Sequence, residues 1–256
     1  MKVTVIGCSG SFAGPTSPSS SYLIQEESGG RLWSILLDLG SGALGALQRH
    51  LSPDDLDAVV LTHLHPDHCV DLCGLYVWRR YRPAAPLPSR LPVHGPEGTG
   101  QRLQTMYHGL EAGGMEAQFD FRVVADAEPL QVGPFTVTPY AMNHPVEAYG
   151  FRVEAGGAVL AYPGDTDDCE NLTPLLRDAD LALMDSAFVD GRDDAVTGIH
   201  LSGSRAATAA VRAGGVKRLM LTHIPAWNDP EVCRAQAAGV WTGTVELAAA
   251  DSVHDL

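Results

Sequence analysis

Lysine is almost missing from this chain: Lys2 and Lys217 are the only two among 17 basic residues, set against 31 acidic ones in a length of 256. The resulting net charge of −14 argues against a broad basic face, and so against the phosphate neutralisation that binding of long nucleic acids depends on. A small anion held in a cationic pocket stays compatible with that balance, and an acidic surplus also serves solubility. No apolar run approaches the roughly 18 residues of a membrane span, so no membrane segment is expected. The opening Met1-Lys2-Val3-Thr4-Val5-Ile6-Gly7 passes straight into a strand pattern and then a Gly/Ser loop, which predicts no secretory leader. Cysteine is sparse as well. Cys8, Cys69, Cys73, Cys169 and Cys233 form an odd set with no C-x-x-C pair, against both a disulfide framework and a cysteine zinc site. A reduced, cytoplasmic location is the expectation.

What the chain has is apolar material: 45% of its residues, enough to bury a sizeable core in one domain spanning 1–256. Its 27 glycines and 17 prolines are scattered and punctuate turns rather than mark a linker. Val/Ile/Leu/Phe/Tyr-rich runs bounded by Gly, Pro or Asp predict strands near 3–7, 20–26, 32–38, 57–62, 91–94, 119–124, 135–141, 148–154, 158–162, 180–185, 217–222 and 243–247. Helices are predicted near 42–50, 67–81, 97–110, 170–177 and 203–213, the last capped by Ser202 and ended by Gly214-Gly215. The class is mixed α/β. Ala58-Val59-Val60-Leu61-Thr62-His63 and Arg218-Leu219-Met220-Leu221-Thr222-His223 both run an apolar strand into Thr-His, an echo that a fold of two halves meeting at one site would produce.

Several strands stop at a histidine or an aspartate. Thr62-His63-Leu64-His65-Pro66-Asp67-His68 packs three histidines and an aspartate into positions 63–68, just past an apolar strand. Imidazole nitrogen and carboxylate oxygen are the donors that suit zinc and its neighbours. A pair of such ions needs more donors than this loop holds, and comparable strand ends supply them: Asn143-His144-Pro145, Gly164-Asp165-Thr166 and Thr222-His223. A lone His144 or His223 is more often structural than ligating; it is their order behind the first motif that selects them.

The order His63-x-His65-x-Asp67-His68, His144, Asp165, His223 resembles the metallo-β-lactamase superfamily over nearly the whole chain. Asp38-Leu39-Gly40-Ser41-Gly42 is similar to that family's first motif, an aspartate supporting the site from behind, and His94-Gly95-Pro96 to a strand-end turn of its phosphodiesterase branch. The resemblance implies an αββα sandwich, two facing mixed β-sheets flanked by helices, with the site at one edge. It assigns His63, His65 and His144 to one divalent ion, Asp67, His68 and His223 to a second, and Asp165 to both, the ions being zinc or manganese.

The fold alone leaves the substrate open among thioesters, lactams, lactones and phosphodiesters. Ile199-His200-Leu201-Ser202-Gly203, the opening Val5-Ile6-Gly7-Cys8-Ser9-Gly10-Ser11 and Ser19-Ser20-Ser21-Tyr22-Leu23 resemble segments of the ribonuclease Z-like phosphodiesterases. A phosphodiester loses an alkoxide, and an imidazolium can protonate it as the P–O bond breaks. By that likeness His200 is the candidate acid, Asp185 the carboxylate that orients it, and Asp67 the group that helps deprotonate a hydroxide source shared by the ions, for attack on phosphorus. His50, His94, His108 and His254 lack such context.

Between His144 and Asp165 lie 20 residues with a Gly156-Gly157 turn, too few for the basic arm with which ribonuclease Z grips tRNA. Gly45-Ala46-Leu47-Gln48-Arg49-His50, Val77-Trp78-Arg79-Arg80-Tyr81 and Leu221-Thr222-His223-Ile224-Pro225-Ala226-Trp227 resemble actinobacterial cyclic-nucleotide phosphodiesterases of an atypical class II type. Pro66 departs from the leucine more usual there. The implied substrate is a small cyclic nucleotide such as cAMP, with no nucleic acid and no membrane as partner. A homodimer fits the resembling branch, though no seam is legible. The alternatives are a tRNA 3′-processing endonuclease and a thioesterase or lactonase of the same fold. Arg79, Arg80 and Trp227 are either nucleotide contacts or ordinary packing.

Overall fold

The computed structural model describes residues 1–83, 89–108 and 114–256. Its strands are built from the apolar runs of the sequence, and most of them are buried on both faces, as expected of a sheet packed between layers. The first sheet contains β1 (Lys2–Gly7), β2 (Ser21–Ser28), β3 (Arg31–Leu37), β4 (Ala58–Val60), β5 (Leu91–Gly95) and β6 (Phe119–Val123). The second contains β7 (Leu130–Val132), β8 (Phe135–Ala141), β9 (Tyr149–Ala155), β10 (Ala158–Tyr162), β11 (Leu181–Asp185), β12 (Leu219–Thr222) and β13 (Val245–Leu247). A last strand, β14 (Val253–Asp255), returns to pair with β1, giving the orders β14-β1-β2-β3-β4-β5-β6 and β13-β12-β11-β10-β9-β8-β7.

Each sheet joins antiparallel hairpin strands to parallel ones. The switch falls at β3/β4 in the first sheet and at β10/β11 in the second. Two halves are therefore present, but the Thr-His echo does not mark equivalent strands. His63 follows β4, which sits directly beside the hairpin strand β3, whereas His223 follows β12, one strand further out beside β11.

Side-chain alternation assigns the layers. Val5, Ile24, Ile35 and Leu37 point inward and meet Phe135, Phe151, Val153, Leu160, Leu181 and Leu183 of the other sheet. Ile6, Leu23, Leu36 and Val59, on alternate positions, face α1 (Ala43–Leu47), α3 (Leu72–Tyr81) and α4 (Thr99–Tyr107) on the outside. Ala161, Ala182 and Met184 face α5 (Leu172–Leu176), α6 (Gly203–Ala213) and α7 (Pro230–Ala238). The architecture is helix, sheet, sheet, helix.

All twelve predicted strands form, while β7, β14 and α7 were not expected. The helix predicted over 67–81 is broken into α2 (Pro66–Cys69) and α3. The break arises because the Asp71 amide donates to Leu39 O at 3.2 Å instead of continuing the ladder, and its carboxylate accepts from Leu44 N at 2.9 Å. Residues 109–110 of the helix predicted at 97–110 lie outside the described residues. Among the described residues no helix is long and apolar enough to cross a membrane.

At the aromatic and cationic end of α3 the arginines make packing contacts. Arg79 is buried and donates to Gln118 O at 3.2 Å and Ser89 O at 2.5 Å, so it stitches the chain rather than snorkelling to water. The Arg80 guanidinium lies 5.3 Å from the Tyr81 ring centroid. Trp227 is 63% exposed and packs on Phe12, with ring centroids 5.0 Å apart.

Candidate metal centre

The two sheets present their strand ends along one edge: Asp185 ends β11, and the segments leaving β3, β4, β8, β10 and β12 carry Asp38, the 63–68 loop, His144, Asp165 and His223. Two of these residues adopt left-handed backbone conformations that non-glycine residues rarely take, Asp38 at φ 57° and His223 at φ 56°. The backbone also approaches itself closely here. A Cβ on Gly40 would sit 1.9 Å from the Asp67 carbonyl oxygen, and one on Gly10 would sit 2.2 Å from that of His223.

Donor atoms of His63, His65, His144 and Asp165 all lie within 4.8 Å of one another, as do those of Asp67, His68, Asp165 and His223. Asp165 stands in both groups. Within the first, His65 Nδ1 is 3.0 Å from His63 Nε2 and 3.2 Å from His144 Nε2. Within the second, Asp165 Oδ2 is 3.2 Å from His223 Nε2, and Asp165 Oδ1 is 3.1 Å from His68 Nε2. His200, Asp185 and Asp165 form a third such group beside them.

The nitrogens that face away from the cluster are held. His63 Nδ1 meets Thr62 Oγ1 at 3.0 Å, His68 Nδ1 meets Asp38 Oδ2 at 2.8 Å, His144 Nδ1 meets Ile199 O at 3.0 Å and His223 Nδ1 meets Ser20 Oγ at 3.0 Å. Such outer contacts fix the ring orientation and leave the inner nitrogen to ligate. On the inner side the bonding is incomplete: although close to one another, His68 Nε2, His223 Nε2 and Asp165 Oδ1 are aligned with no hydrogen-bond partner among the described residues and are buried. Orphaned buried polar atoms are costly, and three of them converging among imidazoles and carboxylates fit a cation.

The electrostatics agree with that fit. Burial, and after it the neighbouring His68, hold the His63 imidazole well below its ordinary pKa, in the neutral ligating form. Burial opposes the charge of Asp165, yet His223 and His68 keep its carboxyl well below the usual range. His68 runs the other way: burial works against its proton, but Asp165 and Asp38 on either side hold it well above the ordinary value. A cation at Nε2 would take that proton's place.

Asp38 is the buried support. It accepts from Thr62 N at 2.8 Å and Tyr162 OH at 2.8 Å, besides the Thr62 hydroxyl and His68. Asp38→Ala is expected to destabilise the fold by about 3–5 kcal/mol, because it strands several buried donors at once. Urea unfolding measures this, and a loss within about 1 kcal/mol would mean that these donors find other partners.

Residues 34–224 match the family model of the β-lactamase superfamily domain. The chain belongs to the metallo-β-lactamase superfamily. An uncharacterized protein of Mycobacterium leprae is 40% identical over 259 residues, covering 100% of this chain and 89% of its own. The probable metallo-hydrolase YhfI of Bacillus subtilis is 32% identical over 97% of each chain. Its crystal structure superimposes with a TM-score of 0.85 over 99% of each at 29% identity. Ribonuclease Z of Mycobacterium bovis is 29% identical over 96% of this chain and 95% of its own. The superfamily's fold and a His/Asp cluster able to hold metal ions thus coincide in this chain.

The histidines without ligand-like context stay apart from the cluster. His50 pairs with Asp251 at 2.6 Å and His254 meets Arg218 at 3.1 Å. His94 is buried in β5, where burial and then the like charge of Arg122 hold it down to about 4. Two contributors were not read from the sequence: Tyr162, whose hydroxyl reaches Asp38, and Asp167. The latter is buried, accepts from Gly198 N at 2.6 Å and pairs with Arg205, which in turn donates to His200 O at 3.3 Å. Neither position carries a motif of its own, and only packing shows them.

Proposed function

We propose that this protein is a binuclear metal-dependent phosphodiesterase acting on a small cyclic nucleotide such as cAMP. The observation that carries the reading is His200. Its Nδ1 lies 2.9 Å from Asp185 Oδ2, and its ring centroid is 5.4 Å from that of His223 and 5.7 Å from that of His144. Asp185 is fully buried and further fixed by Thr166 N at 3.2 Å and Ala187 N at 3.0 Å. Burial opposes a charge on His200, but Asp185 overrides it and raises the pKa to about 9. His200 is therefore a cation at neutral pH, with Nε2 available to protonate a departing alkoxide. A thioester or lactone has less need of such an acid.

In this reading His63, His65, His144 and Asp165 hold one ion, and Asp67, His68, Asp165 and His223 the other, with zinc or manganese filling both. When bound, the pair supplies Lewis acidity toward a water and toward the phosphate oxygens. Asp67 is kept ionised by His68 and His223 against its own burial, so its carboxylate can accept a hydrogen bond from the attacking water and orient it. Asp185 keeps the His200 ring in register for the opposite transfer.

A small substrate is favoured over tRNA. The segment between His144 and Asp165 is the β9–β10 hairpin, paired to its tip at Ala155 and Ala158, with no docking arm. The net charge of −14 points the same way. A hydrolysis panel of cAMP, cGMP, 2′,3′-cyclic nucleotides, precursor tRNA and a representative lactone, with and without chelator, tests the reading. The expected result is turnover of a cyclic nucleotide, abolished by chelator and restored by zinc or manganese. Faster turnover of precursor tRNA or of the lactone would overturn it.

A further inference from the structure

Beside the metal cluster lies a pocket of about 420 Å³ that includes His65 but neither His200 nor His223. That volume is within the range of small-ligand sites, roughly 300–1,000 Å³. Four segments enclose it: the metal loop, the turn after β5, helix α4 and the loop leaving His144. Leu64, Pro96 and Val146 supply apolar wall, and Arg102, Glu97 and Glu147 supply the polar groups.

Arg102 differs from most of the arginines in pairing with no carboxylate among the described residues, as Arg79 and Arg177 also do, and of these it alone lines the pocket. Arg49, Arg82, Arg122, Arg192, Arg205, Arg212 and Arg218 each hold a carboxylate. For Arg102 the described residues offer only Leu64 O, at 3.4 Å, and no ion pair. An exposed guanidinium with no carboxylate among the described residues, in a strongly acidic protein and in a pocket adjoining a candidate ligand histidine, can engage a ligand. Its planar face can stack on an aromatic ring and its N–H groups can donate to ring or sugar oxygens.

We propose that this pocket is the subsite for the nucleoside of the substrate, with the base against Leu64, Pro96 and Val146 and Arg102 as its donor and stacking partner. The inference rests on the phosphodiesterase reading and narrows it. Glu97 and Glu147 are suited to accept from ribose hydroxyls or an exocyclic amine, and they repel any phosphate beyond the one at the metal cluster. The occupant is thus one uncharged nucleoside, which selects a mononucleotide diester over a polynucleotide.

The test uses the metal-loaded full chain, thymidine 5′-p-nitrophenyl phosphate and methyl p-nitrophenyl phosphate, which share a leaving group and differ in the retained arm. Arg102→Ala and the pocket-filling Val146→Trp are expected to lower the ratio of kcat/KM for the nucleoside ester over the methyl ester by about tenfold or more, mainly through KM. An unchanged ratio in both variants overturns the subsite while leaving the phosphodiesterase reading intact. If the wild type hydrolyses neither ester, the phosphodiesterase reading is judged by the cyclic-nucleotide panel, and calorimetric titration with cAMP decides the pocket. Binding weakened about tenfold by Val146→Trp keeps it; absent or unaltered binding removes it.

Discussion

Asp165→Ala is expected to reduce the metal content from two ions per chain to one or none and to lower cyclic-nucleotide hydrolysis by more than about 100-fold. Its place in both donor groups is the reason. Loss of an outer contact to a metal ligand already costs about 10–100-fold in affinity or activity, and Asp165 stands in both groups of donor atoms. Stability should follow the same pattern. A cation that binds only the folded chain, at 100 times its dissociation constant, adds about 2.7 kcal/mol, or roughly 5–10 °C in Tm for a chain of this size. Zinc should therefore raise the Tm of the wild type by about that much and the Tm of Asp165→Ala by far less. Metal analysis of the purified variant gives the direct answer: two tightly held ions in Asp165→Ala would remove the residue from the centre.

His200→Ala is expected to lower kcat for cAMP by about 10²–10⁴-fold, with a loss below about tenfold for a p-nitrophenyl diester. The contrast follows from the leaving groups, since nitrophenolate departs without a proton and a ribose alkoxide does not. A pKa raised to about 9 means that His200 keeps its proton through neutrality and loses it on the alkaline side. The wild-type kcat for cAMP should accordingly fall as the pH rises toward 9, earlier where bound cations favour loss of the proton, and this limb should vanish in His200→Ala. Asp185→Asn, which keeps the shape and removes the charge, should move the limb to lower pH. Equal losses on both substrates would instead make His200 a structural part of the site.

Both predictions concern residues whose type and local setting are visible in the primary structure. The 63–68 loop is dense in donors, and His144, Asp165 and His223 each follow an apolar strand. The strands themselves were legible because burial on both faces leaves long Val/Ile/Leu runs. What escaped notice had weaker local patterns. In α7 only Cys233 and Ala237 are buried, so its apolar stripe is thin, although Asp229 caps it and Pro230 opens it. The strands β7 and β14 have three residues each, too short for alternation to register, and exist because a neighbouring strand offers an edge.

The same divide runs through the site. That this chain would gather imidazole and carboxylate donors able to hold metal ions at strand ends was determined by the sequence, since donor chemistry and strand periodicity are properties of a few adjacent residues. Tertiary structure alone decided that Tyr162 reaches across to Asp38, 124 positions away, and that Arg79 is buried in stitching the chain while Arg102 meets no carboxylate among the described residues. Those facts are set by how two sheets and their outer helices pack, and side-chain partners so far apart along the chain leave no mark on the local pattern of either one.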